Sequence, residues 1–100
     1  LRGGRGDDFL AGNDGDDVLR GESGDDTLWG QDGDDLVAGG PDDDRLRGGR
    51  GWDVLLGHTG RDVLHTRDGR PDTLDGGPGR DKAWIDPELD TAVRIERFLK

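Results

Sequence analysis

The chain has no cysteine, no methionine and no tyrosine, and only three Trp and two Phe among its 100 residues. Without thiols there is no disulfide framework and no redox compartment to infer. A hydrophobic content of 28% is too little for an ordinary core, and the length allows one domain at most. Taken alone, such a composition points to disorder. No apolar run approaches the ~18 residues of a membrane span, and no signal peptide opens the chain. Bases are the minority charge, 14 against 24 acids, for a formal net charge of −10, which argues against nucleic acid or an anionic membrane surface as a partner. Cations are the natural ligands. The imbalance is concentrated: residues 1–48 carry 14 acids and 5 bases, net −9, and residues 49–100 carry 10 acids and 9 bases, net −1.

What the chain has is glycine, 20 of them, in phase with aspartate. An aspartate returns every nine residues at Asp8, Asp17, Asp26, Asp35, Asp44, Asp53 and Asp62, then at Asp72 and Asp81. Two residues after each comes an aliphatic side chain: Leu10, Leu19, Leu28, Val37, Leu46, Leu55, Leu64, Leu74 and the smaller Ala83. The unit reads Gly-Gly-x-Gly-x-Asp-x-Leu-x. Leu1 and Arg2 fall in register as the last two places of a preceding unit, and the chain does not begin with Met, so it reads as a piece of a longer protein joined to upstream domains.

Each unit divides into a six-residue turn and a three-residue strand. Glycine at the first, second and fourth places is expected to supply the positive φ of a tight loop whose carbonyls turn inward. In the x-Leu-x triplet the central aliphatic points in and its flanks point out. Two units make one coil of eighteen residues, so the fold class read from the sequence is all-β, a right-handed parallel β-roll built as a two-sheet solenoid over residues 1–84, closed by a C-terminal cap over residues 85–100. Nine aliphatics offset only a small part of the conformational entropy lost on ordering the repeats. The stacked aspartates oppose folding further: at the ~4.8 Å spacing of strands, each like-charged pair costs roughly 3 kcal/mol at an effective dielectric of 20. The fold therefore needs a cation. Carboxylates and backbone carbonyls are hard donors, which suit Ca2+ better than a transition metal, and binding should be coupled to folding.

The run Gly12-Asn13-Asp14-Gly15-Asp16-Asp17-Val18-Leu19-Arg20, repeated as Gly21 to Trp29 and Gly30 to Ala38, resembles the calcium-binding nonapeptide repeats of RTX proteins. The resemblance covers residues 1–84 and implies an ion between turns on the same side of the roll, from units two apart. One turn would give its second and fourth carbonyls and its Asp, the next its first and third carbonyls and its Asp. It implies pairs Asp8/Asp26, Asp26/Asp44, Asp44/Asp62 and Asp62/Asp81 on one edge, and Asp17/Asp35, Asp35/Asp53 and Asp53/Asp72 on the other, at most seven ions. The carbonyl donors carried over are Gly4, Gly6, Gly21 and Ser23 for the first pair, Asn13, Gly15, Gly30 and Asp32 for Asp17/Asp35, and Gly24, Gly33, Gly39 and Gly48 for the pairs that follow. The implied function is a calcium-dependent folding module of a secreted, extracellular bacterial protein, monomeric and not an enzyme.

Departures qualify the pattern. Asp42 replaces the fourth-place glycine of one unit, where an aspartate tolerates a left-handed turn. The fifth place is Asp7, Asp16, Asp25, Asp34 and Asp43 early, read as solvated charges and not ligands, and becomes Trp52, Arg61, Arg70 and Arg80 later. The eighth unit starts with Thr66 and Arg67 and holds an extra Pro71, which puts the Asp62/Asp81 and Asp53/Asp72 sites in question. After Ile85 the pattern stops; alternating Val93 and Ile95 favour a strand over 91–95 rather than a helix, with Trp84 against Phe98. Other readings are weaker. Arg5-Gly6-Asp7 spells an integrin-recognition tripeptide but is three consecutive repeat places, and His58 and His65 lack the spacing of a zinc pair. A row of identical carboxylate pairs offers no unique catalytic cleft. Trp29 and Trp52 on the outside leave open an adhesive or scaffold role toward a glycan or partner protein, and the repeats could instead support the catalytic domain of an RTX protease or lipase.

Overall fold

The computed structural model describes residues 2–66, 72–79, 81–84, 91–93 and 97–99. Eleven three-residue strands follow one another: β1 Phe9–Ala11, β2 Val18–Arg20, β3 Thr27–Trp29, β4 Leu36–Ala38, β5 Arg45–Arg47, β6 Val54–Leu56, β7 Val63–His65, β8 Thr73–Asp75, β9 Lys82–Trp84, β10 Thr91–Val93 and β11 Arg97–Leu99. Odd strands form a six-stranded sheet, β1-β3-β5-β7-β9-β11, and even strands a five-stranded one, β10-β8-β6-β4-β2. All pairings are parallel, which makes the molecule a parallel β-roll. Among the described residues there is no helix, and hence none long and apolar enough to cross a membrane.

Register follows the repeat. Leu10 pairs with Leu28, Leu28 with Leu46 and Leu46 with Leu64 in one sheet, and Leu19 with Val37 and Val37 with Leu55 in the other. The centre of every strand from β1 to β9 is buried, and these nine side chains form the hydrophobic core among the described residues. Their flanks alternate outward because successive side chains of a strand face opposite ways. The ladder runs past each triplet: the Thr27 and Leu36 amides donate to the Asp8 and Asp17 carbonyls, and the Gly3 and Gly12 amides to the Arg20 and Trp29 carbonyls.

The ten-residue eighth unit does not break the roll. Val54 pairs with Thr73 and Val63 with Lys82, so the extra residue is absorbed outside the strands and registers shift from eighteen to nineteen. At the far end the strand expected over 91–95 is present as Thr91–Val93, nine residues beyond β9. It pairs with β8, placing Ala92 beside Leu74, and β11 follows β9 with Phe98 beside Ala83. The expected packing of Trp84 on Phe98 falls on side chains outside the described ones.

The candidate metal centre

The turns set two glycine requirements apart. Second and fourth places have positive φ: Gly4 at 84° and Gly6 at 93°, Gly40 at 92° and Asp42 at 79°, Gly49 at 82° and Gly51 at 108°. Asn13, Glu22, Gln31 and His58 occupy the second place at φ of 66–70°, so that place tolerates other side chains. Asp42 holds the left-handed turn, as its short polar side chain allows. First-place glycines do not have positive φ, contrary to the expectation above; they are glycine for space. A Cβ on Gly39 would lie 2.5 Å from Asp44 Oδ2, and one on Gly30 would lie 2.6 Å from Asp35 Oδ2 and 2.7 Å from the Gly48 carbonyl oxygen. Gly39→Ala should therefore raise the calcium needed to fold the chain severalfold, measured by circular dichroism, whereas Glu22→Ala should move it little.

The aspartates two places before each core residue sit under the same glycines. Asp26, Asp35, Asp44, Asp53, Asp62, Asp72 and Asp81 are at most 3% exposed, and Asp8 and Asp17, in the first coil described, are half-buried. One carboxylate oxygen of each inner aspartate is fixed by backbone. Asp26 Oδ1 accepts the Asp8 amide at 2.8 Å and Asp44 Oδ1 the Asp26 amide at 2.8 Å. On the other edge Asp35 Oδ1 accepts the Asp17 amide and Asp53 Oδ1 the Asp35 amide, both at 2.8 Å. The pairs put in question by the insertion keep this contact, Asp72 with the Asp53 amide at 2.6 Å and Asp81 with the Asp62 amide at 2.8 Å. The structure thus brings together the aspartates of all seven pairs read from the sequence.

The other oxygen is the unusual one. Oδ2 of Asp8, Asp17, Asp26, Asp35, Asp44 and Asp62 is buried and makes no hydrogen bond. A buried acceptor left so is expensive, the more so when charged. Backbone oxygens gather at the same points. At Gly3, Asp8 Oδ2 and the Gly21 carbonyl each lie 2.8 Å from where a Cβ would stand; at Gly12, Asp17 Oδ2 and the Gly30 carbonyl do the same; at Gly21, Asp26 Oδ2 lies at 2.5 Å and the Gly39 carbonyl at 2.7 Å. From the other direction, the Gly6 carbonyl lies where a Cβ on Gly24 would stand, and the Gly15 carbonyl where one on Gly33 would. Fourth-place carbonyls thus reach toward the later turn and first-place carbonyls toward the earlier one, the latter at the points where Oδ2 is buried.

Burial governs the electrostatics. It pushes Asp35 up to about 6, Asp44 to about 7 and Asp62 to about 8, and raises Asp26. The backbone amide each accepts opposes this, and neighbouring carboxylates add to it, Asp81 and Asp44 for Asp62. Among the described residues no three His, Cys, Asp or Glu side chains converge. An ion here would be held by two carboxylates and several carbonyls, an all-oxygen set that suits a hard cation and not zinc.

The fifth-place acids do more than the sequence suggested. They are exposed, but Asp7 Oδ1 accepts the Asp25 amide, Asp16 the Asp34 amide, Asp25 the Asp43 amide and Asp43 the Arg61 amide, at 2.7–2.9 Å. This outer ladder runs opposite in sense to the inner one: fifth-place carboxylates reach to the next coil and sixth-place carboxylates to the previous. Trp29 packs edge-on to Phe9, ring centroids 5.1 Å apart, and carries the Arg47 guanidinium 5.3 Å from its centroid, the neighbourly packing expected of an outward aromatic. Trp52 is 63% exposed in a turn.

Compared with known proteins, the chain matches the family model of the RTX calcium-binding nonapeptide repeat, four copies, over residues 1–28, 29–64 and 66–84. No curated protein matches it.

Proposed function

The chain belongs to the RTX calcium-binding nonapeptide repeat family, and from that premise we propose that it is a calcium-dependent folding module whose ions lie between turns of units two apart. The observation that carries this is the row of buried Oδ2 atoms without hydrogen bonds, with a carbonyl of the next coil at the same first-place glycine for Asp8, Asp17, Asp26, Asp35 and Asp62. For the Asp8/Asp26 gap the donors would be the two carboxylates with the carbonyls of Gly4, Gly6, Gly21 and Ser23; for Asp17/Asp35, those of Asn13, Gly15, Gly30 and Asp32. Gly24 with Gly39, and Gly33 with Gly48, would serve the next gap on each edge. Calcium bound there supplies positive charge against the stacked acids and electrophilic partners for the carbonyls.

The chain's own residues do the rest. The glycines keep the gaps free of side chains, the amide bond to Oδ1 aims each carboxylate, and the leucines exclude water from the inner side. Every donor set takes atoms from units eighteen or nineteen residues apart, so no site exists in the unfolded chain and binding supplies folding free energy. Affinities of 10⁻⁴–10⁻³ M, usual for extracellular calcium modules, would leave the chain unfolded in calcium-poor cytosol and folded outside, which fits a secreted protein. Its role is structural, with any catalysis of a parent protein placed elsewhere in that protein. Crystals grown in calcium test the assignment: anomalous peaks should appear between successive turns on both edges, and peaks confined to the exposed fifth-place acids would contradict it.

A further inference from the structure

On a chain of net charge −10, the outward positions of the six-stranded sheet hold no acid from Phe9 to Lys82. Where this face meets the turns, a groove of about 260 Å3 is lined by Trp29, Gln31, Arg47, Arg50 and His65 around Gly49 and Thr66. None of these is a carboxylate, and two are guanidinium groups. Arg47 and Arg50 are exposed, and among the described residues no ion pair holds either. Arg47 is placed before any ligand arrives: its guanidinium rests over the Trp29 ring, which Phe9 braces edge-on from the neighbouring strand. Gly49, at φ 82°, lets the turn pass close over the Gln31 backbone, where a Cβ would lie 2.6 Å from the Gln31 carbonyl oxygen.

We propose that this groove binds an oxyanion carried on a small polar ring: a carboxylate, sulfate or phosphate group on a sugar. Guanidinium groups present paired N–H donors that match the oxygens of such a group. The indole edge gives the ring an apolar wall, and the Gln31 amide can both donate to and accept from hydroxyls. A dense polyanion fits less well. The adjoining groove along the turn edge contains Asp14 and Asp32 beside Asn13, Gln31 and Arg50, so a polymer continuing past the first charged group would run against carboxylates. Arg47, Arg50 and His65 belong to three different units, so the groove exists only in the folded roll.

The test uses the calcium-saturated chain at low salt, titrated calorimetrically with glucose, glucuronate, glucose 6-sulfate and glucose 6-phosphate. At least one charged sugar should bind in the millimolar range with no heat from glucose, and the one that binds identifies the anion. Arg47→Ala should weaken that binding about tenfold or more, and Arg47→Lys, which keeps the charge but loses the fork, should weaken it partly. Arg20→Ala, on the outer face of the five-stranded sheet, should not change it. The calcium midpoint of folding, followed by circular dichroism, should be unchanged in Arg47→Ala, which separates loss of the groove from loss of the roll; if that variant does not fold, Arg50→Ala takes its place. The proposal is overturned if no charged sugar binds better than glucose, or if Arg20→Ala and Arg47→Ala weaken binding alike.

Discussion

Asp44→Ala is expected to leave the chain largely unfolded in millimolar calcium, whereas Asp8→Ala is expected to fold with only a raised calcium midpoint. Both remove one sixth-place carboxylate, but they differ in how many gaps that carboxylate serves. Asp44 is 1% exposed; its Oδ1 accepts the Asp26 amide, and its own amide donates to Asp62 Oδ1. It stands between two gaps. Asp8, in the first coil described, is half-buried and borders one of the seven gaps. In about 10 mM calcium a site with a dissociation constant of about 10⁻⁴ M is filled at a hundred times that constant and stabilises the folded state by about 2.7 kcal/mol, so two lost sites remove about 5 kcal/mol and one about half that. Against total stabilities of roughly 5–15 kcal/mol the first loss is disabling and the second is not. Calcium titrations followed by circular dichroism would show it; equal midpoints for the two variants would mean that inner carboxylates are not shared between gaps.

The second large effect is of pH on the calcium-free chain. With Asp35 at about 6, Asp44 at about 7 and Asp62 at about 8 in the roll, against an ordinary value of 3.8, the ion-free fold binds more protons than the unfolded chain between pH 4 and 8. Stability that comes with extra protons falls as pH rises. It is fully present below about 3.8 and is lost in steps as the pH passes the three raised values. In chelator, acidification from pH 8 to 5 should therefore increase strand content and the urea midpoint, a proton partly standing in for the missing ion. At pH 5 the chain is still above its isoelectric point of about 4.4. Greater order at pH 8 than at pH 5 would mean that the buried acids are not what opposes folding.

Much of this architecture is legible in the sequence because one period writes both the core and the sites. Every aliphatic two places after a sixth-place aspartate is a buried strand centre, from Leu10 to Ala83. The nine aspartates come out paired two units apart, even across the ten-residue unit, since an insertion between β7 and β8 leaves Val54 paired with Thr73. What the pattern hid is what glycine and aspartate each do at a given place. Gly39 is glycine because Asp44 Oδ2 lies where a Cβ would stand, not because its φ is positive, and composition cannot separate those two causes. Asp25 looks like a solvated charge in the sequence, but its reach to the Asp43 amide depends on a coil spacing that only the fold supplies. β11 arrives six residues after β10 instead of nine, so no periodicity announces it. The basic groove is equally silent, because Gln31, Arg47 and His65 become neighbours only when the coil closes.

The central claim is that ordered turns and bound calcium are one event. Far-ultraviolet circular dichroism of the chain at neutral pH, after exhaustive chelation and again with calcium restored, tests it most directly. A disordered spectrum is expected in chelator, with a cooperative return of β-structure as calcium is added. A chelated chain that keeps the full β spectrum and a compact hydrodynamic radius would contradict it.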